Sequence, residues 1–79
     1  METRVAVISV IVTDADRVDM LNELLHEHSK HIIGRMGIPY QEKGINIISI
    51  AVDAPTDEID SLSNKLDNLD GVNAKVVYA

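Results

Sequence analysis

The chain repeats itself. Val18, Leu21 and Leu25 recur 41 residues later as Ile59, Leu62 and Leu66. Each triplet has the three-and-four spacing of one helical face, and acids fill the opposite face of the first: Asp16, Asp19, Glu23 and Glu27. Each is preceded by a run of apolar, largely β-branched residues, RVAVISVIV and INIISIAV, which reads as a strand. A strand feeding a helix, twice in 79 residues, leaves room for one small domain built from two similar halves.

The full order follows from the turn signals. Thr13, Asp14 and Asp16 offer caps for a first helix that runs to about Ser29, and residues 31–36 read as a second strand. The Gly- and Pro-containing segment 37–44 is a turn into the third strand, residues 45–52. Pro55 and Thr56 open the second helix, Asp70-Gly71 stops it, and VNAKVVY alternates as the last strand. The order is βαββαβ, and the same shift of 41 carries the first strand onto the third and the second onto the fourth. This is the pattern of an α+β, ferredoxin-like sandwich: a four-stranded antiparallel sheet with two helices on one face. Residues 1–79 make a single domain on this reading.

Both faces of the central strands are apolar. The first strand carries Val5, Val7, Ser9 and Ile11 on one side and Ala6, Ile8, Val10 and Val12 on the other. The third repeats this, with Ile45, Ile47, Ser49 and Ala51 opposed to Ile48, Ile50 and Val52. Two helices cover one face only, so the other calls for a cover. The sequence holds no cysteine, which excludes disulfides and thiolate metal sites as staples for so small a core. A second copy is the expected cover, in a homodimer or homotetramer. The alternative is a face left in water, relieved by its serines and edge charges.

The net charge of −6 is unevenly placed. Residues 14–29 sum to −4 and residues 53–70 to −5, leaving +3 for the rest. Two acidic segments and only two aromatic residues argue against direct nucleic-acid binding. There is no apolar run of membrane-spanning length and no signal-like start, so a cytoplasmic protein is expected, with no membrane partner.

His26, His28 and His31 invite a metal reading. His26 and His28 lie about 200° apart on a helix, however, and imidazoles near a helix C-terminus are favoured by its dipole. No metal site and no cofactor are expected. The segment 32–40, IIGRMGIPY, is more distinctive. Gly34 within a strand suggests a bulge or a close backbone approach. Arg35 between two glycines can offer a forked donor to a carboxylate or phosphate, and Met36 and Tyr40 could form apolar walls. Either this is a ligand site formed by His26, Gly34, Arg35, Met36, Gly37 and Tyr40, or it is an edge hairpin whose Arg35 pairs with a neighbour's acidic helix. No nucleophile and base are placed to form a catalytic set, so no enzyme activity is expected.

Leu24-Leu25-His26-Glu27, the segment 32–40, Ile47-Ile48-Ser49-Ile50, Asp53-Ala54-Pro55 and Leu69-Asp70-Gly71-Val72 together resemble proteins named as regulators of the iron-only hydrogenase system. The resemblance covers nearly the whole chain. It implies an ACT-like module, similar to the C-terminal ligand-binding domain of nickel-responsive repressors, that assembles into dimers or tetramers. His26 matches that domain's helix-end histidine, but its His-x-His falls here on Gly37 and Pro39 and its cysteine on Ile45. A nickel site of that type is therefore not implied. No DNA-binding segment like the repressors' is expected ahead of the first strand either. The expected function is a non-catalytic, homo-oligomeric regulatory module. It would bind a small effector at a subunit interface and act through a protein partner. The alternative is a purely structural assembly module without a ligand.

Overall fold

A computed structural model describes residues 2–79. Four strands, β1 (Arg4–Val12), β2 (Ile32–Tyr40), β3 (Ile45–Ala54) and β4 (Val72–Tyr78), form one sheet in the order β2-β3-β1-β4. All three pairings are antiparallel. The helices α1 (Val18–Glu27) and α2 (Thr56–Asp67) cover one face. The architecture is the ferredoxin-like, ACT-like α+β sandwich that the alternation of elements predicts.

Alternation at period two sorts β1 and β3 between core and surface. Ala6, Ile8, Val10 and Val12 of β1 and Ile48, Ile50, Val52 and Ala54 of β3 are buried beneath the helices. Leu21 and Leu25 of α1 and Ile59, Leu62 and Leu66 of α2 close the core from above. The periodicity of 41 thus holds for the helices, but the buried strand positions repeat at 42, since Ala6 corresponds to Ile48 and Val12 to Ala54. The connection from β1 absorbs the extra residue. It contains a 3₁₀ turn over Ala15–Arg17, capped by Asp14 Oδ1 accepting from the Asp16 amide at 3.0 Å, where β3 reaches α2 through Pro55 alone. The expected first helix is accordingly shorter than 14–29: its first and last turns are 3₁₀.

The second strand corrects the sequence reading most. It extends through Gly37 and Pro39 to Tyr40 rather than stopping at Met36. β2 is an edge strand, so proline's missing N–H is tolerated there and the Gly-x-Pro segment stays extended. The bulge suggested by Gly34 is present: Ile32 pairs with Val52 and Gly34 with Ala51, leaving Ile33 unpaired between them. The remaining turn is a short 3₁₀ segment, Gln41–Lys43, closed by Gly44 at φ 65°.

The two ends of the sandwich are tied differently. At one, the turn after β1 meets the turn before β4: the Thr13 amide donates to the Gly71 carbonyl at 2.7 Å, and its hydroxyl donates to the same oxygen at 3.1 Å. At the other, the Tyr78 hydroxyl donates to Asp60 on α2, while the Arg4 guanidinium lies 4.3 Å from the Tyr78 ring centroid. The hydrogen bond to Asp60 is the main reason the Tyr78 phenol is raised above its ordinary 10.0. Desolvation and the Asp60 charge add to this, and Arg4 opposes it. A raised phenol favours the neutral form in the folded chain. Its contribution is therefore present below pH of about 10 and is lost as pH rises through the folded value. Ultraviolet titration of the phenolate should place Tyr78 above the ordinary value, and Asp60→Asn should move it back.

Candidate functional site

The bulge sets which way β2 presents its side chains. From Gly34 onward, Gly34, Met36, Ile38 and Tyr40 pair with Ala51, Ser49, Ile47 and Ile45, the strand positions that face away from the helices. Arg35 and Gly37 pair with the buried Ile50 and Ile48 and so lie on the helix side. The six residues singled out from the sequence are thereby divided between two surfaces.

On the helix side, Arg35 reaches across to α1, where its Nη1 donates to Asn22 Oδ1 at 3.1 Å. A groove of about 340 Å³ lies there between α1 and β2, lined by Asn22, Leu25, His26, Ser29, Ile32 and Arg35. It continues past Arg35 into a second hollow of about 200 Å³ over Gly37, with Val18, Pro39 and Ile48 around it. His26, Arg35 and Gly37 are thus brought together along one trough. Its chemistry is mixed: an apolar floor, one guanidinium held in place by an amide oxygen, and an exposed imidazole and hydroxyl at one end. Asn22 was missed in the sequence. Its spacing of four from His26 puts the two on one helix face, which was the available signal. Of the other histidines, His28 is largely covered at the end of α1, its Nδ1 3.9 Å from Glu58 Oε2. Among the described residues no three His, Cys, Asp or Glu side chains converge to hold one metal ion.

On the other side, Gly34, Met36 and Tyr40 belong to the open sheet face. This face holds Val5, Val7 and Ile11 of β1, Ile47 of β3, Met36, Ile38 and Tyr40 of β2, and Val77 of β4. Those eight are all but two of the ten large apolar side chains exposed among the described residues; Met20 and Ile33 are the others. Ser9 and Ser49 sit opposite one another at its middle, with Lys75 beside Ser9. Asp53, opposite Val5, stands at one end of the face; the other acids lie largely on the helices and their connecting turns.

Comparison with known proteins gives this arrangement a family. Residues 4–76 match the family model described as "TM1266-like: Iron-only hydrogenase system regulator, putative". The chain belongs to this family. A solved structure of one TM1266-like protein, TM1266 from Thermotoga maritima, superposes with a TM-score of 0.93 at 33% identity, covering 98% of both chains. No curated protein matches the sequence. The TM1266-like name speaks of regulation rather than catalysis, in keeping with a fold that presents a groove and an apolar face. No helix among the described residues is long and apolar enough to cross a membrane.

Proposed function

We propose that this TM1266-like chain is a non-catalytic regulatory module that assembles with copies of itself through the open sheet face. It binds a small effector in the trough beside Arg35 and His26, and reaches the iron-only hydrogenase system through a protein partner. The observation that carries the assembly is the concentration of eight of the ten large apolar side chains exposed among the described residues on one face. Scattered apolar residues are normal on a protein surface, but a contiguous sheet of them marks an interface.

A second copy is the occupant that fits. Four strands at a spacing of about 4.8 Å and some seven residues each give a face of roughly 19 by 23 Å in projection, at the small end for one side of a specific interface. The face is also suited to two-fold packing about its Ser9–Ser49 centre. Such an axis lays the Ile38–Ile47–Ile11 row of one copy over the Gly34–Ala51–Val7 row of the other, bulky residues over smaller ones.

Regulation follows from β2 being shared. An effector against Arg35 and Gly37 and a second copy against Met36 and Ile38 touch opposite sides of the same edge strand. An effector that favours one position of that strand shifts the assembly equilibrium by its differential affinity for the two states. The acidic helix layer is a poor surface for phosphates, so influence on gene expression runs through another protein. The apolar face alone would equally serve a structural module without a ligand; the trough is what favours the regulatory reading. A thermal-shift screen of metabolites against the wild type and Arg35→Ala tests it. The expected result is a compound that stabilises the wild type, stabilises Arg35→Ala much less, and changes the sedimenting mass. If compounds stabilise both proteins equally or neither at all, the module is structural.

A further inference from the structure

Resting on the reading of the trough as an effector site, we infer that its ligand is a small monocarboxylate with an aliphatic body. The carboxylate would sit on Arg35 and the chain would lie over Gly37. The guanidinium supplies the anchor. It is hydrogen-bonded through Nη1 to an uncharged partner, Asn22 Oδ1, and makes no ion pair within the chain among the described residues. A guanidinium oriented by an amide keeps further N–H donors in a fork matched to a carboxylate. Arg17, by contrast, lies between Asp14 and Asp70.

The surroundings select the charge of the ligand. There is one guanidinium, and the same stretch of α1 carries Asp19, Glu23 and Glu27 in the hollow that adjoins the trough at Asn22 and His26. A polyphosphate would bring several negative charges to one cation beside three acids. A single carboxylate matches the one donor fork and suffers the least repulsion. His26 and Ser29 add polar groups at one end of the trough.

The body of the ligand is selected by the floor. On the Arg35 side it is Leu25 and Ile32, and beyond Arg35 it is Val18, Pro39 and Ile48. Between them Gly37 leaves its place empty: a Cβ built there meets no atom within 4 Å. That space is unused by the fold, and burying methylenes of a ligand in it removes apolar surface from water on both sides.

The same glycine makes the inference testable, because a side chain at Gly37 fills the trough without displacing anything. Hexanoate is the probe, with hexylammonium, 1-hexanol and inorganic phosphate as comparisons. Amide and Arg Nε–H chemical shifts of the full chain are followed for the wild type, Arg35→Gln and Gly37→Leu. Hexanoate should shift Arg35 Nε–H and the amides of Asn22, Ile32 and Gly37 in a saturable way. Binding should weaken about tenfold or more in Arg35→Gln and be abolished in Gly37→Leu, whose spectrum stays folded. Hexylammonium and phosphate should leave these signals in place. Hexanoate binding that survives Arg35→Gln overturns the inference, as does equal binding of phosphate. If hexanol or hexylammonium binds instead and Gly37→Leu blocks it, the trough is an effector site but the carboxylate class is wrong. If no probe moves the trough signals, both this inference and the effector reading fail, leaving assembly through the open face untouched.

Discussion

Replacing Gly71 with alanine should cost about 3 kcal/mol of stability and lower the melting temperature by roughly 15 °C, among the largest single-residue effects in this chain. Two independent penalties act at that position. The backbone there is left-handed, at φ 74°, which costs a side-chain-bearing residue about 1–2 kcal/mol. The added Cβ would also lie 2.6 Å from the Asp14 Cβ and 3.2 Å from its amide nitrogen, too near for either to remain in place. Asp14 cannot easily retreat. Its carboxylate caps the 3₁₀ turn, and the neighbouring Thr13 donates two hydrogen bonds to the Gly71 carbonyl. Pushing the two turns apart therefore breaks the tie between β1 and β4 as well. Gly44 is the control. It has a similar φ of 65°, but a Cβ there meets nothing, so Gly44→Ala should cost only about 1 kcal/mol. Chemical denaturation of the three proteins at one fixed concentration compares them, since assembly would otherwise enter the apparent stability. Equal losses at Gly71 and Gly44 would show that the contact with Asp14 carries no energy.

The second large effect is on assembly. Ile47 lies in the row formed with Ile38 and Ile11 on the open face and is 40% exposed in the single chain. Ile47→Asp should leave the fold standing, because the position is solvent-facing and the strand-propensity penalty is below about 1 kcal/mol. In a two-fold assembly, however, two carboxylates enter the buried interface without partners. At about 3 kcal/mol each, the dissociation constant should rise by roughly four orders of magnitude. Sedimentation should then find a folded monomer of 8.7 kDa at concentrations where the wild type is assembled. An Ile47→Asp protein that sediments like the wild type would place the interface elsewhere.

The sequence disclosed the fold more readily than the site, and particular residues explain the difference. β1 and β4 run over Arg4–Val12 and Val72–Tyr78 as the near-continuous apolar run of the first and the alternation of the second indicate, because a strand with neighbours on its core face has little choice of register. β2 did not yield to the same reasoning. Gly37 and Pro39 are turn residues by local rule, and only their place on a sheet edge lets the strand continue through them. The site suffered more. Arg35, Gly37 and His26 were recognisable by chemical type, but the bulge at Ile33 decides which side of the sheet each β2 residue faces. A one-residue change of phase exchanges the two sides of a strand, and Gly34 hints at a bulge without fixing which neighbour is left unpaired. Asn22 was hidden for another reason: an asparagine on the polar face of a helix is unremarkable until an arginine from another element is found against it.

The apolar open face was visible from the outset, since β1 and β3 offer mostly hydrophobic residues on both faces, whichever side the helices take. The burial of that face between copies is the central claim, and the methionines provide the direct test. Met36 lies on the open face and is 64% exposed in the single chain; Met20 lies on α1 and is 46% exposed. Pulsed oxidation of the wild type with hydrogen peroxide, followed by peptide mass spectrometry, reads both side chains in one sample. Assembly through the sheet predicts that Met20 is converted to the sulfoxide while Met36 is protected, and that Met36 becomes reactive in Ile47→Asp. Oxidation of Met36 as fast as Met20 in the wild type, at concentrations where the protein is assembled, would contradict it.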